Sequence, residues 1–437
     1  MMLRDGLVVG ARHHLFIGGC DAVELAREYG TPLFVLDELY LRGMCKAFVS
    51  AMNAYAPGGM VCYASKAFST VAMCKIVAQE GMGLDVVSGG ELYTALKAGF
   101  PAERITLHGN CKTPMEIDMA VEVGVGHIVV DSLTEIPLLQ EAAARHNRRM
   151  RVQVRLNPGI SAHTHTAVQT AVTDCKFGLG IDDGQALEAV KAIAGCPNLL
   201  LTGVHTHIGS QIFEMEPYYR AVDRLTDFMV LASVVTGVEM TETTVGGGFG
   251  VRYTEEDPPT MDPREIVRLI AHEVQRQAAR KGMRPPRLIL EPGRMIVAEA
   301  GVTLYTVGAI KEIPGVRTYV SVDGGLMDNP RVALYDGRYT ALLANRADAR
   351  PTQTVAIAGR ACESGDILGL NFPLPDVQLG DIIAMPTTGA YHYSMASNYN
   401  RVPVPAVVLV RYGKSEPIVL RQRYEDVVQY DRVPGWL

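Results

Sequence analysis

Short apolar runs recur along the chain at helix-length intervals, and polar residues gather at their C-terminal ends. Eight of these runs read as buried strands: Met60 to Tyr63, Leu84 to Val87, Ile105 to His108, His127 to Asp131, Arg151 to Leu156, Leu200 to His207, Met240 to Val245, and Leu288 to Glu291. The stretches between them are helical in pattern, as in Glu91 to Ala98 and Leu187 to Ala194. Ser132 before Leu133 reads as a helix start and Gly99 as a stop. Eight strand–helix units over roughly 250 residues predict a (β/α)8 barrel. The structural competitor, an open doubly wound sheet, would usually carry a glycine-rich nucleotide turn after its first strand, and none stands there.

The pattern differs on either side of the barrel. Residues 1 to about 30 predict a short strand, Leu7-Val8-Val9, then a helix from Asp21 to Tyr29; an extended run, Thr31 to Leu36, follows, opened by Pro32. After about residue 296, β-branched runs such as Thr303 to Val307, Thr318 to Val322, Thr354 to Ile357 and Ala406 to Val410 are cut by Gly and Pro. These predict a mainly antiparallel β domain, a sandwich or barrel. The expected division is an N-terminal segment, 1–35, that joins the β domain, a barrel over 36–295, and the C-terminal β domain over 296–437.

Composition narrows the classes. The chain has 437 residues, 48% of them hydrophobic and 20% charged, enough for two domains with real cores. A net charge of -6 without any basic run disfavours nucleic-acid binding. No apolar run approaches a membrane span, and the N-terminal residues lack a signal-peptide core. Eight cysteines without a Cys-x-x-Cys pair indicate neither a zinc site nor a disulfide framework, so a cytoplasmic protein is expected.

Lys66, in Tyr63-Ala64-Ser65-Lys66-Ala67-Phe68, stands just past the first strand. A desolvated amine there would lose its proton easily and suit Schiff-base chemistry. Asp85, Ser88, His108, Asn110, Asp131 and Arg155 fall at other strand ends, as do Asn157, His207 and Glu291. That end is where barrels of this kind build active sites. Gly246-Gly247-Gly248-Phe249-Gly250 suits backbone contacts to a phosphate, and Glu291-Pro292-Gly293-Arg294 sets an acid, a glycine and a guanidinium on one turn. His205 and His207 share a strand face and could bind metal, but no further ligand stands at a suitable spacing, so no metal is expected. A flat imidazole covering an aromatic ring is the better use. Arg331, Tyr335, Cys362, Glu363 and Tyr391 are loop candidates in the β domain.

Taken in order, these motifs resemble the signatures of the pyridoxal 5′-phosphate decarboxylases of the alanine-racemase fold. They continue through Asp85 to Leu92, His207 to Gln211 and Cys362 to Asp366. Within that family the closest resemblance is to the diaminopimelate decarboxylases. It is carried by Ala162 to Thr166 after Asn157-Pro158-Gly159, by Lys176-Phe177-Gly178, and by Ser394 to Asn400 after Tyr391.

The resemblance implies that Lys66 holds pyridoxal 5′-phosphate covalently. It implies that Glu291 pairs with the pyridine nitrogen, that His207 stacks on the ring, and that Ser210, Gly248, Gly293 and Arg294 help hold the phosphate. Asp85 and Tyr391 join the cofactor set. Arg294, Arg331 and Tyr335 would bind a distal carboxylate of the substrate, Glu363 its distal amine, and Tyr391 would lie near both ligands. Cys362 would be the acid that protonates the carbon left by CO2. Cys362 and Glu363 would come from the partner subunit of a homodimer. The implied reaction is decarboxylation of meso-2,6-diaminopimelate to L-lysine. The alternatives are decarboxylation of ornithine, lysine or arginine, or a non-catalytic relative that only binds proteins. The chain departs from the family pattern at Phe68, Ala171 and Cys175.

Overall fold

The computed structural model describes residues 6–160 and 175–437. They form two compact units.

The first unit comprises residues 42–251 and 259–296 and contains eight parallel strands. These are β1 (Met60–Ala64), β2 (Gly83–Val86), β3 (Ile105–Leu107), β4 (His127–Val130), β5 (Met150–Asn157), β6 (Leu199–His205), β7 (Glu242–Thr244) and β8 (Arg287–Leu290). Each pairs with the next in sequence, and β8 returns to β1 through Ile289 opposite Met60 and Leu290 opposite Val61. The sheet is therefore a closed barrel, and the open-sheet alternative is excluded. Its strands are buried on both faces, which is why they read as continuous apolar runs. One short strand that the pattern did not predict, Leu179–Gly180, lies parallel to the C-terminal end of β5.

Helix starts follow local chemistry. The Ser88 hydroxyl accepts the Glu91 amide at the head of helix Gly89–Lys97. Thr113 and Glu116 cap helix Pro114–Val123 reciprocally. Ser132 does not cap the next helix, which begins at Glu135. There the Glu135 carboxylate itself accepts the Asp131 and Ser132 amides, because a buried acid in the first turn is the stronger acceptor.

The second unit comprises residues 6–41, 252–258 and 297–437. Its sheet is mainly antiparallel. Strand Leu33–Asp37 lies between Gly301–Ile313, antiparallel, and Ala406–Arg411, parallel. A second parallel pairing, Arg317–Val322 with Gln353–Ala358, makes the sheet mixed. Leu7, Leu15 and Ile17, from a small N-terminal sheet, pack into one core with Leu33, Val302 and Val408.

Candidate active site

Three turns at the C-terminal ends of β6, β7 and β8 interlock through glycine. A Cβ on Gly247 would fall 2.0 Å from the carbonyl oxygen of Glu291, and one on Gly248 would fall 2.1 Å from that of Gly209. Gly246 and Gly248 also have φ of 78° and 88°, a region that disfavours other residues. The loop is anchored from outside the turn. Phe249 packs between Phe48 and Tyr218, and the Tyr218 hydroxyl donates to the Gly247 carbonyl at 2.9 Å. The Ile212 amide donates to the Gly248 carbonyl at 3.0 Å, tying the β6 and β7 turns together.

The β1 end joins the same assembly. The Ala64 amide donates to the Pro292 carbonyl at 3.3 Å, and a Cβ on Gly293 would meet Ala64 at 3.0 Å. Ser65 donates to Glu91 at 2.6 Å, and the same Glu91 oxygen accepts the Val87 amide at 2.8 Å. Lys66 is thus held at its backbone between buried Ser65 and Ala67. Its side chain is exposed, so the desolvated amine expected from the sequence is not what the structure shows. The strand ends at Ala64, and Lys66 stands in the 3-10 turn that follows. Its electrostatic partners are Asp85 and His207.

Ser210 and Arg294 meet: the guanidinium donates to the Ser210 hydroxyl at 2.9 Å. His207 takes the Gly247 amide on Nδ1 at 3.3 Å, which leaves that nitrogen without a proton. Burial, then Lys66 and Arg155, hold its pKa well below the ordinary value.

Beneath these turns lies a buried cluster whose pairing the sequence spacing did not reveal. His205 Nε2 is 3.0 Å from Glu291 Oε2, while His108 Nε2 is 3.4 Å from Glu291 Oε1 and 3.5 Å from Asp85 Oδ1. One ring nitrogen from each of His108 and His205 and one oxygen of Glu291 all lie within 4.8 Å of one another. Burial alone would raise the Glu291 pKa, but the two imidazoles reverse the sign and hold it well below the usual glutamate range. Burial and the Glu291 charge lift Asp85 to about 7, against the pull of His108.

In the second unit, Arg331 is buried with its guanidinium over the rings of Tyr253 (4.9 Å) and Tyr339 (5.8 Å), and it donates to the Tyr339 hydroxyl. Neither tyrosine was singled out from the sequence. Tyr335 ends the same short helix, and Tyr391 has a φ of 62°. Cys362 and Glu363 are exposed; the Cys362 amide donates to Asn400 Oδ1 at 2.8 Å. The motif residues Ala162 to Thr166, and the departure at Ala171, lie outside the described residues.

The family model for the pyridoxal-dependent decarboxylases, pyridoxal binding domain, matches residues 41–298. The chain is 47% identical over 425 residues to the diaminopimelate decarboxylase of Bacillus subtilis, covering 96% of this chain and 95% of that one. The chain belongs to the diaminopimelate decarboxylase family. Its relative from Halalkalibacterium halodurans is 46% identical, covering 97% of this chain and 96% of the other. Among solved structures, diaminopimelate decarboxylase from M. jannaschii in complex with L-lysine superposes with a TM-score of 0.92 at 34% identity, covering 100% of both chains.

The family uses pyridoxal 5′-phosphate, and the residues present fit it. The glycine turns approach main chain where a Cβ would collide, Arg294 and Ser210 stand in neighbouring turns, and Glu291 is a buried carboxylate kept ionised.

Proposed function

We propose that the protein decarboxylates meso-2,6-diaminopimelate to L-lysine and CO2. When bound, the cofactor supplies a protonated ring that draws off the electron pair left as the carboxyl group departs. The observation that carries the reading is the joining of the Lys66 turn, through Pro292 and Gly293, to the acid and glycine turns after β8 and β7.

The chain's own residues divide the remaining work. Lys66 holds the cofactor aldehyde, while Gly248, Gly293, Ser210 and Arg294 hold its phosphate. His207 covers the ring, Asp85 lies beside it, and Glu291 accepts from its nitrogen. Arg331, with Arg294 and Tyr335, binds the carboxylate that is not lost, and Tyr391 contacts both ligands. A guanidinium suits that task because it offers two parallel donors to one carboxylate. Glu363 pairs with the distal amine, so a substrate lacking it leaves a charge unpaired. The Cys362 thiol delivers the proton that replaces CO2. Cys362 and Glu363 act in the site of a second copy, making the working protein a homodimer with shared sites. The exposure of both residues supports this. No helix among the described residues is long and apolar enough to cross a membrane, and we place the enzyme in the cytoplasm.

Incubation with meso-2,6-diaminopimelate, ornithine, lysine and arginine in parallel tests the reading. Lysine and CO2 are expected from the first alone. A preparation that binds the cofactor yet forms no lysine overturns the proposal.

A further inference from the structure

Glu291 is held by two imidazoles that cannot be in the same state. His205, the last residue of β6, meets one carboxylate oxygen, and His108, the first residue after β3, meets the other. The two rings are 4.9 Å apart and tilted by 57°. His205 Nδ1 is buried with no hydrogen-bond partner among the described residues. A proton there would be an unsatisfied buried donor, so His205 is neutral and donates from Nε2. His108 Nε2 faces two carboxylates, Glu291 at 3.4 Å and Asp85 at 3.5 Å, and forms no hydrogen bond to either, so it meets them as a charge.

We infer that His108 and His205 are positioning residues that fix Glu291 as an ionised carboxylate aimed at the cofactor's ring nitrogen, His108 as a cation and His205 as a neutral donor. This rests on the assignment of Glu291 to that nitrogen in the proposed function. Each carboxylate oxygen has two lone pairs; His205 takes one on Oε2 and His108 acts on Oε1 by charge, which leaves a place for a further donor. Without the His108 charge, Asp85 and Glu291 would be two buried like charges, and one of them would take a proton. A protonated Glu291 could no longer keep the ring nitrogen protonated.

The electrostatics agree in direction. Burial opposes the charged form of His108, but Glu291 and Asp85 outweigh it and lift the ring to about 9. Burial takes His205 down to about 4 despite the pull of Glu291. The other groups facing the cluster include Lys66 on Asp85, Arg155 on His205, His207 on Glu291 and His205, and Cys62, whose thiol burial and the two acids push well up.

The test compares His108→Gln, which keeps a donor and loses the charge, with His205→Gln, which keeps the neutral donor. Cofactor labelled with 15N at the ring nitrogen is bound to each and observed by NMR at pH 7.5. The nitrogen should be protonated in the wild type and in H205Q, and should lose its proton in H108Q with about a tenfold to a hundredfold fall in cofactor affinity. Adding Asp85→Asn to H108Q removes the competing acid and should restore the protonated signal, which a purely structural role for His108 would not do. A protonated nitrogen in H108Q, or no rescue in the double variant, overturns the inference. In the cofactor-free protein, His108 should keep its imidazole proton beyond pH 8; titration near the ordinary histidine value also overturns it. Wild-type protein that takes up no cofactor would instead overturn the proposed function, and the His108 titration would still decide the charge assignment.

Discussion

A Cβ on Gly247 would stand 2.0 Å from the main-chain oxygen of Glu291, so the turn after β7 and the acid after β8 are matched at backbone level. No rotamer relieves that contact. Gly247→Ala must push the two turns apart, at a cost of roughly 1–3 kcal/mol or more. The expected outcome is a lowered melting temperature together with loss of cofactor on gel filtration. A variant that melts like the wild type and keeps its cofactor would mean the turns are not so closely matched.

Lys66 is the amine assigned to the cofactor. Lys66→Ala should give a chain whose mass is unchanged by borohydride after incubation with pyridoxal 5′-phosphate, whereas the wild type gains the reduced cofactor. Cys362→Ala should keep the cofactor's visible band and slow turnover by roughly 10²- to 10⁴-fold. If Cys362 serves the second copy's site, mixing the two inactive variants should restore part of the activity. No recovery after subunit exchange would place Cys362 in its own chain's site.

The barrel was legible because strands buried on both faces read as apolar runs wherever they occur. Even β7, only Glu242–Thr244, was found, since the flanking Met240 and Val245 extend its pattern. The placement of Asp85, His207, Ser210, Glu291 and Arg294 at or just past the barrel strands was legible because strand ends and short motifs mark it locally. The His205–Glu291 pair was not legible, since its members lie 86 residues apart and meet only when the barrel closes. The same holds for Tyr253, whose segment, residues 252–258, belongs to the β-domain unit although the chain before and after that segment belongs to the barrel. Exposure of Lys66 was missed because sequence marks the end of a strand but not how deeply the next residues are covered.

Arg331 stands by two tyrosine rings that are nearly perpendicular to each other, and it donates to the Tyr339 hydroxyl. Arg331→Lys keeps the charge but loses the paired donors and the stacking. KM for meso-2,6-diaminopimelate should rise by about tenfold to a hundredfold, the range of one or two charge-assisted hydrogen bonds. An equal loss toward a diamino acid with no second carboxylate would remove Arg331 from carboxylate recognition.

Glu242 opens β7 at the opposite end of the barrel and is almost fully buried. It accepts from Arg151 at 2.6 Å and Arg287 at 3.0 Å and lies 2.8 Å from His127 Nε2. Burial would raise its pKa, but His127, Thr202 and Arg151 together hold it well below the usual range. A depressed carboxylate stabilises the fold above its unfolded value, roughly 4.3, and that contribution is lost as pH falls through the folded value. Glu242→Gln should cost about 3 kcal/mol at pH 7, the lower end for a broken buried pair, because both arginines reach solvent. The gap between variant and wild type in urea or thermal unfolding should close as pH drops below about 4. A gap that persists unchanged at pH 3 would show that Glu242 acts through packing rather than through its charge.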